Sequence, residues 1–183
     1  MATGLAEQYR PLLEAAAFAA RAHEGQRRKD KKTPYISHVF RVCLVLRDVF
    51  GIDELQALIT AALHDTLEDT TTDFDDLAEA FGANVARWVS ILSKDKRLEE
   101  HERERQYMLA LCAAPWQVKA CKLADMFDNL MDMGSQAAER HAHTFARIEG
   151  YWQALAANPP EQIKAPLELV RRLLEEMRGS RAT

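Results

Sequence analysis

The sequence predicts an all-α fold. Apolar residues recur at three- and four-residue intervals through most of the chain, and period-two alternation is scarce. Glycine or proline stands at most of the places where one periodic run stops and the next begins. The chain has 183 residues, 48% hydrophobic and 28% charged. That is enough for one ordinary domain and too apolar for a disordered segment.

The elements follow in order. A first helix is expected over about Leu5 to Glu24, with Leu12, Leu13, Ala16, Ala17 and Ala20 inward and Gly25 ending it. A basic loop, QRRKDKKTPY, follows, broken by Pro34. A second helix covers about Ser37 to Phe50 and buries Val42, Val45, Leu46 and Val49. Gly51 stops it, and Asp53 is placed to cap a third helix from Glu54 to Leu67. This third helix is almost wholly apolar until His64, as a buried central helix would be.

Shorter helices are expected over Phe74 to Phe81, capped by Thr72 and closed by Gly82, and over Asn84 to Leu92. The charged stretch LSKDKRLEEHERERQ reads as a solvated loop leading into a helix that ends near Ala114. Pro115 suits the first turn of the next helix, which reaches about Met133 before Gly134. Two last helices flank Asn158-Pro159-Pro160. The expected organisation is a single domain over 1–183, with a core at about 5–157 and a C-terminal helix at about 161–178.

Composition narrows the function. Net charge is −4, which argues against a general nucleic-acid binder. No uncharged run approaches the ~20 residues a membrane helix needs, and the N-terminus lacks a secretory pattern. Cys43, Cys112 and Cys121 form no paired motif and read as reduced core thiols of a cytoplasmic protein.

Four features carry chemistry. His64-Asp65 ends the apolar run ALITAAL, with Glu68-Asp69 one turn later. On a continuous helix, i and i+4 share a face, so His64 lies above Glu68 and Asp65 above Asp69. Polar residues closing a buried helix are costly unless paired or bound to a metal. His38 opens the preceding helix. Asp125 and Asn129 stand four apart in KLADMFDNL, within apolar surroundings. Arg27, Arg28, Lys29, Lys31 and Lys32 concentrate positive charge in one loop, where guanidinium groups can fork onto phosphate or stack on a base. Two imidazoles and two carboxylates (His38, His64, Asp65, Asp125) suit Mn²⁺, Fe²⁺ or Zn²⁺ better than Ca²⁺.

The order His38 … His64-Asp65 … Asp125 resembles the H…HD…D signature of HD-domain phosphohydrolases. The phrases AHEGQRRKD, TPYISH, AALHDTLEDT, FGANVARWV and KLADMFDNL resemble, in the same order, the hydrolase domain of RelA/SpoT proteins. The resemblance implies an all-α HD-domain helical bundle. It also implies a stand-alone small alarmone hydrolase, since the chain ends at Thr183 where RelA/SpoT chains continue. The implied activity is removal of the 3′-pyrophosphate of ppGpp and pppGpp, with one Mn²⁺.

The resemblance further implies roles for single residues. His38, His64, Asp65 and Asp125 are metal ligands, and Glu68 and Asp69 the catalytic acidic pair. Arg28 packs on the base, Lys29 meets phosphate, and Asn129 lies near the ribose. Lys96 and Arg147 are further phosphate contacts. Other substrates that fit this family are (p)ppApp and the 2′-phosphate of NADPH, and a non-catalytic nucleotide-sensing module is the alternative outside catalysis. The chain departs from the family's LADRLHN, where Met126 and Asp128 stand instead. An added carboxylate at 128 repels a polyanionic substrate unless it points away.

Overall fold

The computed structural model describes residues 4–133 and 138–179. Helices α1 (Gly4–Ala22), α2 (Ile36–Leu44) and α3 (Leu55–Leu63) lead to a one-turn α4 (Thr66–Asp69), then α5 (Phe74–Phe81) and α6 (Ala83–Leu92). Helices α7 (Glu100–Ala113), α8 (Trp116–Met131), α9 (Ala138–Ala156) and α10 (Lys164–Gly179) complete the bundle. No strand occurs among the described residues, so the expected all-α class is what the chain adopts. Gly134, expected just past α8, lies outside the described residues.

Helix α3 is the axis. Every residue from Ala57 to Leu63 is buried. One side joins a core built with α2, α7, α8, α9 and α10; the other joins a second core with α1, α5 and α6. The hydrophobic run in the sequence is thus satisfied from both sides. Helix α8 is the second pillar, burying Val118, Cys121, Leu123, Ala124, Met126 and Leu130. Trp152 Nε1 donates to the Leu167 carbonyl at 2.9 Å and ties α9 to α10.

Several boundaries and faces differ from the sequence reading. The third helix does not run on to Leu67. Thr66 Oγ1 donates to the Leu63 carbonyl at 2.7 Å, and His64 Nδ1 lies 2.8 Å from the Ala61 carbonyl. Side chains thereby occupy carbonyls that the helix ladder would have used. His64-Asp65 forms a turn, so the expected stacking of His64 on Glu68 does not apply.

The second helix ends in a π turn over Val45–Val49, with Phe50 N donating to the Val45 carbonyl at 2.9 Å. That extra residue rotates Val49 outward, to 44% exposure, while Val42, Val45 and Leu46 stay buried. Caps also shift by one residue. Glu54, not Asp53, caps α3 through the Ala57 amide, and Asp73, not Thr72, forms a capping box with Asp76.

On α1 the buried residues are Ala15 and Ala19, while Leu13 is 70% exposed and Ala17 and Ala20 are also exposed. An alanine-rich helix has apolar residues on every face, so its pattern sets the inward face poorly. Of the expected core thiols only Cys121 is buried; Cys43 is half-buried and Cys112 exposed, and all three are free.

Leu123 is fully buried on the helix that carries Asp125. Leu123→Ala should destabilise the fold by about 2–5 kcal/mol. Urea unfolding followed by circular dichroism measures this.

Candidate metal centre and active site

Helices α2, α3 and α8 converge on one point. His38 comes from the first turn of α2, His64 and Asp65 from the turn after α3, and Asp125 from the middle of α8. His38, His64 and Asp65 each offer a ligand atom, all within 4.8 Å of one another. Asp125 Oδ1 lies 3.3 Å from His38 Nε2, and Asp65 Oδ2 lies 3.5 Å from it. Three of the four residues read as ligands, His38, His64 and Asp65, form the mutually close group, and Asp125 adjoins it through His38.

The donor atoms are turned toward that point. A carbonyl only accepts, so the His64 proton sits on Nδ1, facing Ala61, and Nε2 presents its lone pair. His64 Nε2 is buried and lies 2.9 Å from Asp65 Oδ2. An imidazole nitrogen and a carboxylate oxygen at that distance share either a proton or a metal ion. Residue types and geometry together fit a divalent metal ion.

Electrostatics make the same demand. Burial opposes charge on His38. Hydrogen bonds with Asp125, Asp128 and Asp65 outweigh it and hold the imidazole pKa well above 6.5. For His64, burial is again outweighed, mainly by Asp65. Burial alone would raise Asp65, but the charge on His64 and its hydrogen bonds with both imidazoles pull it well below 3.8. Asp125 is likewise lowered, with Lys122 as the principal attraction. The carboxylates of the cluster therefore favour positive charge at this point.

The centre opens into a cavity of roughly 320 Å³, a size that suits a small molecule. Asp65, Glu68, Asp69, Arg28, Lys29, Asn129 and Arg147 all line it. Glu68 Oε2 accepts from the Lys94 amide at 2.9 Å. Burial raises the Glu68 pKa above 4.5, and the neighbouring Asp65 and Asp69 charges add to the rise. Asn129 Nδ2 donates to Asp125 Oδ1 at 2.5 Å, which realises the expected one-turn pairing on α8.

The basic loop is folded rather than loosely solvated. Asp30 accepts from the Lys32 and Thr33 amides and from the Thr33 hydroxyl, and Arg28 N donates to the Thr33 carbonyl at 2.8 Å. This closed turn buries Arg28, whose guanidinium reaches Asp132 at 2.8 Å and lies 5.8 Å from the Tyr35 ring centroid.

Lys96 departs from the expectation. It is 56% exposed, does not line the cavity, and donates to Asp69 Oδ1 at 2.6 Å and to the Glu68 carbonyl at 2.7 Å. The loop geometry turns Lys94 inward instead. Lys94 Nζ reaches Glu104 and Tyr151 at 2.6 Å each. Lys122 pairs with Asp125 at 2.8 Å, and both lysines lie about 5 Å from the Tyr107 and Tyr151 rings. Burial lowers the Lys94 pKa despite Glu104.

Tyr35, whose hydroxyl donates to Asp65 Oδ2 at 2.6 Å, also lines the cavity. Lys94, Lys122, Tyr35, Tyr107 and Tyr151 were not singled out from the sequence. Tyr35 in TPYISH and Lys122 in KLADMFDNL adjoin the motifs. The other three carry no local signal.

Asp128 points away from the cavity, so the feared repulsion with substrate does not arise. It is 2% exposed and sits 2.7 Å from His38 Nδ1.

Fold and site together define a metal-dependent hydrolase of the HD type. The chain belongs to the HD-domain family, whose model matches residues 15–162. It is 40% identical over 143 residues to a Danio rerio protein named guanosine-3′,5′-bis(diphosphate) 3′-pyrophosphohydrolase MESH1, covering 78% of each chain. The Homo sapiens protein of that name is 39% identical over 166 residues, 90% of this chain and 89% of that one. A solved structure, described as a metazoan ortholog of SpoT that hydrolyses ppGpp, superposes with a TM-score of 0.81 at 32% identity. The match covers 92% of this chain and 96% of that one. Within the HD family, the chain falls with these MESH1/SpoT-type hydrolases.

Asp65 touches both imidazoles, so Asp65→Ala should abolish retention of a divalent ion, measured by elemental analysis after dialysis. In the wild type, protons compete with the ion for both imidazoles. Because the imidazole pKa values are raised, ion affinity should climb with pH through a midpoint above 6.5.

Proposed function

We propose that this protein hydrolyses the 3′-pyrophosphate of ppGpp and pppGpp, releasing pyrophosphate and GDP or GTP, with Mn²⁺ as its one ion per chain. The observation that carries the reading is the His38–His64–Asp65–Asp125 cluster in a cavity of small-molecule size lined by Arg27, Arg28, Lys29, Lys94 and Arg147 as well as by the acidic pair. The names of the similar proteins support the substrate. Three free cysteines and the absence, among the described residues, of a helix able to cross a membrane support a cytoplasmic setting.

When bound, the ion supplies Lewis-acid polarisation of a phosphate oxygen and offsets developing negative charge. The protein supplies the rest. Glu68, half-buried and raised in pKa, accepts a proton as the water oxygen bonds to phosphorus, and returns it to the ribose 3′ oxygen as the bond between that oxygen and phosphorus breaks. Asp69, held by Lys96, orients that water. Lys96 thus serves the acidic pair rather than the phosphate. Lys29, Arg147 and Lys94 balance phosphate charge along the cavity wall. Arg28, fixed by Asp132 and Asn129, presents its flat guanidinium beside the base. Asn129 keeps Asp125 oriented and faces the ribose.

General-base help is worth about 10²–10⁴-fold. Glu68→Ala should lower kcat by that range while the ion is retained, a split that Asp65→Ala does not show. The acid limb of the rate profile follows from the sign of the Glu68 shift. A base with a raised pKa loses its ionised form at higher pH than an ordinary glutamate, so activity should fall away at a pH above 4.5. Purified protein with Mn²⁺ is then offered ppGpp, pppGpp, ppApp and NADPH, with EDTA as control. Pyrophosphate from the guanine alarmones is expected. Orthophosphate from NADPH alone, or an ion-loaded protein that turns over none of them, would refute the assignment.

A further inference from the structure

We propose that Asp128 is a positioning residue for the metal centre: its carboxylate takes the Nδ1 proton of His38 and thereby aims the Nε2 lone pair at the ion. The inference rests on the metal reading above and adds a residue that lies outside the ligand set.

Asp128 Oδ2 lies 2.7 Å from His38 Nδ1, and both side chains are buried, at 2% and 1% exposure. Carboxylates stand on both sides of the ring, but Asp128 is at 2.7 Å from Nδ1 while Asp125 and Asp65 are 3.3 and 3.5 Å from Nε2. The single proton of the neutral imidazole therefore belongs on Nδ1, and Nε2 is left as an acceptor. That Nε2 is the atom facing Asp65 and Asp125. A carboxylate behind a ligating imidazole fixes its tautomer and ring angle and strengthens its lone pair.

The remaining contacts show why the chain tolerates a third carboxylate so near Asp65 and Asp125. Asp128 Oδ1 accepts from Arg41 Nε at 2.6 Å, and Arg28 Nη2 lies 3.8 Å from Oδ2. Two guanidiniums therefore balance its charge on the side away from the ion. The two oxygens divide the work, one toward Arg41 and one toward His38. Helix α8 supplies both parts: Asp125 and Asp128 are three residues apart, so the same face that offers a ligand also backs the ligand arriving from α2. This is the position where the sequence departs from LADRLHN, in which histidine replaces the aspartate and no carboxylate is available.

The test is Mn²⁺ titration of the metal-stripped full-length protein, following free Mn²⁺ by electron paramagnetic resonance. Asp128→Asn keeps the shape and removes the charge. It should weaken Mn²⁺ binding by about 10–100-fold, with the metal-free protein still showing a cooperative melt. Asp128→Glu, which restores a carboxylate, should recover most of the loss. Nitrogen-15 NMR of the metal-free wild type at alkaline pH supplies a reading independent of any variant, and should find the His38 proton on Nδ1.

Unchanged Mn²⁺ affinity in Asp128→Asn, or a wild-type His38 carrying its proton on Nε2, would overturn the proposal. A wild type that takes up no Mn²⁺ would overturn the metal reading itself, and the proposal with it. If Asp128→Asn does not fold, the wild-type tautomer decides.

Discussion

Two imidazole nitrogens and two carboxylates face one point inside the bundle, and they repel one another unless positive charge sits among them. Holding such a set together costs free energy, since each group loses its water and gains an electron-rich neighbour. The helices carrying it are anchored by packing. Helix α3 is buried from Ala57 to Leu63, and α8 buries Leu123, Ala124 and Met126 around Asp125. Hydrophobic burial thus positions groups that would otherwise separate. Within the centre the carboxylates raise both histidine pKa values, and the imidazoles together with Lys122 lower both aspartate pKa values.

The surroundings are graded by charge. Next to the centre stand Glu68 and Asp69, and beyond them the basic residues of the 26–34 turn, Lys94 and Arg147. Such an arrangement can hold a polyanion by its phosphates while a carboxylate handles the water. Three of these groups are held by contacts within the protein: Glu68 by the Lys94 amide, Asp69 by Lys96 and Arg28 by Asp132. Preorganisation of this kind lowers the entropy lost when a flexible nucleotide binds.

The turn at His64-Asp65 is where fold and chemistry meet. A helix continued through these residues would have carried them around the axis at its own pitch. Instead, His64 and Thr66 engage the Ala61 and Leu63 carbonyls, and the chain bends into α4. Both side chains then reach the same point, and Glu68 and Asp69 follow on a short helix at the cavity rim.

Much was legible along the chain. The apolar run Leu55–Leu63 announced a buried helix because only packing on all sides satisfies such a run. The residues proposed as ligands and acidic pair stood out because such types are costly in apolar contexts and because five phrases resemble one family; the structure places them along one cavity. Other features depended on distance in space. Lys94 rather than Lys96 enters the cavity because a loop conformation turns it inward, and residues two apart give no sign of which will do so. Asp128 looked like a liability beside a polyanion. It proved to face His38, 90 positions away in sequence, with Arg28 and Arg41 behind it. Local pattern specifies which helices form and which faces are apolar. The partners of a buried charge are set by how those helices cross, which no short stretch of sequence contains.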